Sequence, residues 1–169
     1  MSSPARAARI RLLVLDVDGV LTDGRLEYGA AGEGPKRFFV QDGLALVAAR
    51  RAGLSIAVIS GRASAAVTRR LSELGISEVH QGIGDKLAVL DALMDRNKVK
   101  PGEVAVMGDD LPDLPLMRRA GFALAPADAA PEVRRAAGWV ARRPGGAGAV
   151  RDAVEMLLKA RKAWPPPGI

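Results

Sequence analysis

The sequence predicts an α/β fold, a parallel, doubly wound (Rossmann-like) sheet with helices on both faces. Short apolar runs alternate along the chain with segments of helical spacing, and the runs lack the polar alternation of a half-exposed strand. Strands buried on both faces have this composition, and parallel strands need helical crossovers. The chain of 169 residues, 49% of them hydrophobic, is long enough for a single domain over 1–169.

The individual elements follow from these patterns. Six apolar runs are the predicted strands, at 11–15, 55–59, 79–81, 104–107, 122–125 and 139–141. Apolar residues three or four positions apart predict helices between and after them. These residues include Val67, Leu71 and Leu74, then Leu87, Leu90 and Met94, and in the last helix Val150, Val154 and Leu157.

One interval, at about 25–40, breaks the alternation. Residues 26–28 and 36–40 predict two strands of a β-hairpin, joined by a glycine-rich loop and inserted after the first strand. An isolated hairpin is only marginally stable, so we expect it to pack on its own domain or on another subunit. The proline-rich tail, 163–169, is expected to be frayed.

The charge balance suggests nucleic acid, with 25 basic and 19 acidic residues. Each arginine pair, however, precedes a glycine at a predicted helix end, where it complements the helix dipole. Aromatic residues make up only 4% of the chain, too few for base stacking. The pairs are Arg50-Arg51, Arg118-Arg119 and Arg134-Arg135. We therefore expect a solvated basic surface and no nucleic-acid partner.

The location in the cell is predicted from what the sequence lacks. It has no cysteine, no apolar run approaching the roughly 20 residues that span a bilayer, and no hydrophobic signal core within 1–9. These features predict a cytoplasmic protein without a membrane partner.

Polar residues follow several of the predicted strands. The stretch LVLDVDGVLTDG, residues 13–24, places Asp16 and Asp18 after the first strand. Ser60 follows the second, Lys86 opens the helix after the third, and Asp109 follows the fourth. Ligands of parallel α/β sheets bind beyond the carboxyl ends of the strands, so these side chains are expected around one crevice.

Phosphoryl transfer explains this mixture. Asp16 and Asp109, with the backbone carbonyl of Asp18, supply the oxygen ligands that Mg²⁺ prefers. Asp16 is then the candidate nucleophile, and Asp18 the acid that protonates the leaving oxygen and later activates water. Ser60 and Lys86 are expected to hold the phosphoryl oxygens.

Structural interpretations of the same residues remain open. Asp16 alone is typical of a turn or helix cap, and Ser60 is equally well explained as the cap of the following helix. Asp113 is expected to have a structural role or to act only indirectly on the metal. His80, the one histidine, is expected at a strand end.

Five stretches together resemble the haloacid dehalogenase-like phosphatases, in particular the branch that acts on 3-deoxy-D-manno-octulosonate 8-phosphate. They are LDVDGVLTDG at 15–24, ISGR at 59–62, QGIGDK at 81–86, GDDLPDLPLM at 108–117 and RRPGGAGAVRD at 142–152. The resemblance implies the catalytic roles and the Mg²⁺ ligands given above. It also implies a sugar-acid phosphate substrate bound by Val40, Gln41, Asp42, Gly43, Gly61, Arg62 and Arg70.

The resemblance further implies a homotetramer that serves lipopolysaccharide biosynthesis. Only 24 residues separate Gly61 from Lys86, so no cap domain fits there. Water must still be kept from the reaction. In such capless relatives, the hairpin and the Gly-rich segment 144–149 are expected to cover a neighbouring subunit's site.

The sequence departs from this family where the sugar carboxylate is bound. Relatives usually carry arginine at the positions of Gln41 and Val47, although Arg62 and Arg70 match the family. Another nonulosonate phosphate or a smaller phosphosugar is therefore an alternative substrate. Two other classes remain, a phospho-accepting domain of the response-regulator type and a phosphatase-like module that has lost activity and serves regulation.

Overall fold

The computed structural model describes residues 3–30 and 32–166. Its main sheet has six parallel strands in the order β5-β4-β1-β6-β7-β8. These strands are β1 (Leu12–Leu15), β4 (Ser55–Ile59), β5 (Glu78–His80), β6 (Val104–Met107), β7 (Phe122–Ala125) and β8 (Trp139–Val140). The predicted parallel α/β fold is confirmed, and each of the six predicted strands is found within one residue of its expected bounds.

The order of the strands reverses at β1: the chain adds β4 and β5 on one side of it and β6, β7 and β8 on the other. Strand β1 pairs with β4 on one side, Leu13 opposite Ile56, and with β6 on the other, Leu13 opposite Ala105. All four residues of β1 are buried. The crevice beyond its carboxyl end is therefore flanked by the ends of β4 and β6, which is where ligands of such sheets bind.

Seven helices connect and cover the strands in the described residues. They are α1 (Ser3–Ala7), α2 (Val40–Arg51), α3 (Ala65–Glu73), α4 (Lys86–Asn97), α5 (Leu114–Arg119), α6 (Pro131–Ala136) and α7 (Ala149–Ala160). Short 3-10 turns precede β6 and α5, at Pro101–Glu103 and Leu111–Asp113. Two buried clusters lie on the two faces of the sheet, one against α2, α3 and α7 and one against α4, α5 and α6.

The predicted arginine pairs lie in the last turns of α2, α5 and α6. This position confirms that they complement helix dipoles. Within the described part of the chain, no helix has the length and hydropathy needed to cross a membrane.

The inserted hairpin is shorter than the sequence predicts. Its strands are β2 (Tyr28–Gly29) and β3 (Gly32–Glu33), which pair antiparallel. The predicted strand at 36–40 is wrong, because 34–39 is irregular and Val40 begins α2. Pro35 lacks the N–H that a sheet ladder needs, and the apolar spacing after Val40 continues as a helix rather than a strand.

The Gly-rich segment 144–149 packs on the loop after β1 of its own chain, and the expectation that it covers a neighbouring subunit's site stays a prediction. The N–H of Gly146 donates to the carbonyl of Val20, 3.0 Å away, in the loop after β1. A side chain on Gly145 would overlap the carbonyl oxygen of Gly19. Such close backbone approach is available only to glycine.

The first two residues of the predicted frayed tail, 163–164, are packed within the chain. Ala163 and Trp164 pack against the core cluster that contains α7. The guanidinium carbon of Arg151 lies 4.6 Å from the centroid of the Trp164 ring, a cation–π contact. Residues 167–169, the end of the predicted frayed segment, lie outside the described residues.

Candidate active site

The carboxyl ends of β1, β4 and β6, together with the start of α4, bring four of the predicted residues to one crevice. Asp16 directly follows β1, and its N–H donates to the carbonyl of Met107 at the end of β6, 3.1 Å away. Ser60 directly follows β4, Asp109 lies two residues beyond β6, and Lys86 is the first residue of α4. The parallel register of the three strands therefore sets the spacing of these side chains.

Lys86 links two of the acids. Its ammonium donates to Oδ1 of Asp16 at 2.7 Å and to Oδ1 of Asp113 at 2.8 Å. Burial lowers the pKa of the Lys86 ammonium, but the two carboxylates outweigh burial and raise that pKa above its usual value. Lys86 is therefore a fixed positive charge at the floor of the crevice.

Three carboxylates lie close enough to share a cation. One oxygen from each of Asp16, Asp109 and Asp113 lies within 4.8 Å of the others. Burial first, then repulsion between these acids, raises the pKa of Asp16 to about 6 and that of Asp109 to about 7. A hard divalent cation removes this repulsion and prefers such oxygen ligands, so the donor set fits Mg²⁺.

Asp113 has a larger part in this site than the sequence indicates. Besides its contact with Lys86, its Oδ2 accepts the N–H of Asp109 at 3.1 Å. The 3-10 turn Leu111–Asp113 brings it back to the residue four positions earlier. Asp110, by contrast, caps this turn by accepting the N–H of Leu111. The DDLPD sequence does not show by itself which acid caps the turn and which one contacts Lys86 and Asp109.

Gly19 lets the loop after β1 pass directly over Asp109. Its φ of +89° is in the left-handed region, and a Cβ at this position would overlap the Asp109 carboxylate. A residue with a side chain would therefore displace this candidate metal ligand.

Asp18 is held by residues from the hairpin insertion and from the segment after β4. The ammonium of Lys36 lies 2.6 Å from Asp18 Oδ1, and the Nε of Arg62 lies 3.9 Å from Asp18 Oδ2. Arg62 also donates through Nη2 to the hydroxyl of Tyr28, 3.0 Å away, on β2. Sequence reasoning missed Lys36 and Tyr28, since no local pattern connects either of them with Asp18.

Ser60 does not cap the helix that follows it. It is 2% exposed, and its Oγ accepts the N–H of Arg62 at 3.3 Å. The N-cap of α3 is Ser64, four residues further on. Gly61 lies against the side chain of Lys86, its ideal Cβ position being 4.0 Å from Lys86 Cε. His80 ends β5, as predicted.

The other predicted substrate residues form a second group around the start of α2. Val40 and Gln41 are exposed there, and Gly43 lies against the guanidinium of Arg70 from α3. Gln41 Oε1 accepts a hydrogen bond from Nη1 of Arg143 at 3.2 Å. The hydrogen bonds of Gln41 and Asp42 join this group to Arg143 and to the start of α7 rather than to the Asp16 cluster.

The carboxylate of Asp42 is buried and hydrogen-bonded to the backbone of α7 and of the residue before it. Asp42 is 2% exposed, and its carboxylate accepts the N–H of Gly148 at 3.2 Å and that of Arg151 at 2.7 Å. Burial raises its pKa, while these two hydrogen bonds act in the opposite direction. Asp42 thus caps the start of α7 from another helix. The exposed Val40 and Gln41, rather than the Asp42 carboxylate, are open to a ligand.

The fold and the site define a metal-dependent phosphoryl-transfer enzyme on a doubly wound sheet. A profile described as haloacid dehalogenase-like hydrolase matches residues 72–151. The 3-deoxy-D-manno-octulosonate 8-phosphate phosphatase of Escherichia coli K12 is 42% identical over 157 residues, 93% of this chain and 84% of the relative. The chain therefore belongs to the haloacid dehalogenase-like hydrolase family, and the predicted family is confirmed.

Solved structures agree with this assignment. The 3-deoxy-D-manno-octulosonate 8-phosphate phosphatase of Moraxella catarrhalis, in complex with magnesium, phosphate and the sugar acid, is 41% identical with a TM-score of 0.92. The match covers 95% of this chain and 92% of that one. A cobalt-bound phosphatase of the same activity from Haemophilus influenzae is 37% identical with a TM-score of 0.91, covering 95% of each chain.

Proposed function

We propose that the protein is a Mg²⁺-dependent phosphomonoesterase that hydrolyses 3-deoxy-D-manno-octulosonate 8-phosphate through an aspartyl-phosphate. The arrangement of Asp16, Lys86, Asp109 and Asp113 carries this proposal, because it supplies a nucleophile, a fixed cation and oxygen ligands in one crevice. The relatives of this activity match nearly the whole chain. The intact acids argue against a module that has lost activity.

Asp16, Asp109 and the backbone carbonyl of Asp18 would hold the ion, and Asp113 is a further candidate from the geometry. When bound, Mg²⁺ supplies positive charge that offsets repulsion between the acids and the phosphate. Lys86, already beside Asp16, together with the Oγ of Ser60, would bind the other phosphoryl oxygens.

The reaction then has two steps. A carboxylate oxygen of Asp16 attacks phosphorus while the bond from phosphorus to the sugar oxygen breaks, and Asp18 gives its proton to that oxygen. The sugar leaves as an alcohol, and an acyl phosphate remains on Asp16. Asp18 next takes a proton from water, which attacks phosphorus and releases inorganic phosphate. Both aspartates return to their starting states.

Two arginines support an acidic substrate, although Gln41 stands where relatives usually carry an arginine. Arg143 is held by Asp152, with Nη2 donating to Oδ1 at 2.8 Å, and its Nη1 reaches Gln41 Oε1 at 3.2 Å. A guanidinium therefore stands beside the position where the resembled family carries arginine. Arg62 supplies a second cation beside Asp18. Another nonulosonate phosphate or a smaller phosphosugar fits the same chemistry and is the alternative substrate class.

We also propose a cytoplasmic homotetramer that serves lipopolysaccharide biosynthesis. The hairpin and the start of α2 expose apolar side chains, with Tyr28 at 67%, Val40 at 75% and Leu44 at 45%. Exposed apolar residues in one region are typical of contacts between chains. Sedimentation equilibrium tests the oligomer, and a monomer at micromolar concentration would contradict it.

Phosphate release from a panel of sugar phosphates tests the activity. We expect turnover of 3-deoxy-D-manno-octulosonate 8-phosphate with Mg²⁺ and none with EDTA. Asp16→Asn abolishes it, whereas Asp95→Asn, an exposed acid on α4, leaves it unchanged. Preference for neutral sugar phosphates would replace the substrate and keep the mechanism. Turnover that survives in Asp16→Asn would overturn the mechanism.

A further inference from the structure

Lys36 is a buried lysine beside the proposed acid of the reaction. Its ammonium lies 2.6 Å from Asp18 Oδ1, and its side chain is only 4% exposed. We propose that Lys36 is a positioning residue that fixes the Asp18 carboxyl group for proton transfer to the leaving sugar oxygen. This inference rests on the proposed function and names a residue to which neither the sequence patterns nor the family resemblance assigns a role.

The two oxygens of Asp18 have different environments. Oδ1 is held by the ammonium of Lys36 in a short, charge-assisted hydrogen bond. Oδ2 is buried and has no hydrogen-bond partner in the described residues, and the Nε of Arg62 lies 3.9 Å from it. The contact with Lys36 therefore restrains rotation of the carboxyl group. In the acid form of Asp18, Oδ1 still accepts from the ammonium and Oδ2, which has no protein partner in the described part of the chain, carries the proton for the leaving oxygen.

The position of Lys36 is unusual for a lysine. It lies in the irregular segment 34–39, where a long side chain could reach solvent at little cost. The next residue, Arg37, does so, with a side chain 85% exposed and 3.7 Å from Glu27. Lysines are rarely buried unless they are paired, and the Asp18 carboxylate supplies a counter-charge for the inward-directed Lys36.

Burying such a pair adds little stability, because desolvation offsets the attraction between the charges. A fixed geometry is the clearer consequence. General acid catalysis depends on the distance and direction between the acid and the leaving oxygen. Lys36 lies three residues after the hairpin strand β3, so the inserted segment reaches the proposed proton donor.

The leaving group provides the test. A sugar alkoxide is a poor leaving group and needs the proton from Asp18, whereas p-nitrophenolate leaves without it. Lys36→Met should therefore lower kcat/KM for the sugar phosphate by roughly 10- to 100-fold, part of the usual contribution of a general acid. For p-nitrophenyl phosphate we expect a change of less than about threefold. The ratio kcat/KM isolates the first step, in which the leaving oxygen departs.

Matched variants separate positioning from a general structural effect. Arg37→Met removes the neighbouring exposed cation and should leave both substrates unchanged. Lys36→Arg keeps the charge but moves its donors, so it should also lower the ratio of sugar to aryl activity. In an Asp18→Asn background, adding Lys36→Met should cause no further loss with the sugar phosphate, since Lys36 acts through Asp18.

An equal fall for both substrates in Lys36→Met, or an unchanged ratio in Lys36→Arg, overturns the positioning role. A further loss when Lys36→Met is added to Asp18→Asn also overturns the positioning role. This comparison remains decisive if Lys36→Met alone is too unstable to assay. Failure of the proposed function is distinguishable, because the unmodified protein would then not hydrolyse the sugar-acid phosphate with Mg²⁺, whatever its activity on p-nitrophenyl phosphate.

Discussion

The ammonium of Lys86 lies 2.7 Å from Oδ1 of Asp16, and the two side chains are 10% and 11% exposed. The same ammonium lies 2.8 Å from Oδ1 of Asp113. One cation therefore balances two nearly buried acids before any ion binds. Removing it leaves two carboxylates without their main counter-charge.

We expect Lys86→Met to destabilise the protein by roughly 3 kcal/mol in EDTA at neutral pH, because breaking a buried pair leaves an uncompensated charge. Chemical denaturation measures this change. Lys159→Met is the control, since its ammonium is exposed and pairs with Glu155 on the surface of α7. That variant should lose only about 0.5 kcal/mol. Equal losses in the two variants would contradict the role of Lys86.

The raised pKa values of Asp16 and Asp109 predict that Mg²⁺ stabilises the protein more as pH rises. Burial and mutual repulsion raise these pKa values from 3.8 to about 6 and about 7. A raised carboxyl pKa contributes stability that is complete below the unfolded value and is lost as pH rises through the folded value. Without metal, this contribution is therefore lost between about pH 4 and about pH 7.

Thermal unfolding in EDTA and in Mg²⁺, measured across this pH range, tests the prediction. The increase in Tm caused by Mg²⁺ should grow with pH, since binding must displace protons at low pH. In Asp109→Asn the Mg²⁺-dependent increase should disappear, whereas Asp95→Asn should behave as the unmodified protein. A Mg²⁺ effect that is constant with pH would show that these acids do not hold the ion.

The contact of Gly145 with the loop after β1 predicts that a single methyl group disturbs the site. A Cβ on Gly145 would overlap the carbonyl oxygen of Gly19, and Gly19 itself lies against Asp109. Gly145→Ala should cost roughly 2–3 kcal/mol, as overpacking in a rigid contact does, and should weaken Mg²⁺ binding.

Gly102→Ala is the matched control, because an ideal Cβ on Gly102 meets nothing within 4 Å. Denaturant midpoints and Mg²⁺ titration followed by calorimetry compare the two variants. Normal Mg²⁺ affinity in Gly145→Ala would show that the loop after β1 adjusts independently of segment 144–149.

The sequence predicts most of the sheet because its strands are buried on both faces. Leu12 to Leu15 are all buried, and no polar residue interrupts the apolar run. The acids that follow β1 and β6 are equally predictable, since parallel strands end at the same edge. Strand order and strand ends together bring Asp16 and Asp109 into one group.

The remaining features depend on contacts between distant segments. Lys36 reaches Asp18 from an irregular segment that has no periodicity to read. Asp42 is part of a motif that suggests substrate binding, but its carboxylate caps α7, 106 residues further along the chain. The two hairpin strands have only two residues each, so the alternation of apolar and polar residues cannot predict where they begin and end.

The hydrogen bond between Arg143 and Gln41 predicts a contribution to substrate choice. Arg143 is oriented by Asp152, whose Oδ2 also accepts the N–H groups of Arg142 and Arg143 at 3.2 Å each. Asp152 therefore keeps partners when the guanidinium is removed. If this guanidinium binds the sugar carboxylate, Arg143→Met should raise KM for the sugar-acid phosphate by roughly tenfold, the usual effect of one charged hydrogen bond.

Steady-state phosphate release distinguishes this effect from a loss of folding. In Arg143→Met, kcat for the sugar-acid phosphate and KM for a neutral sugar phosphate should remain close to their original values. Arg142→Met, which removes the exposed neighbouring cation, should change neither constant. Because the guanidinium acts on the carboxylate and not on phosphorus, an equal rise in KM for acidic and neutral substrates would contradict the assignment of substrate recognition to Arg143.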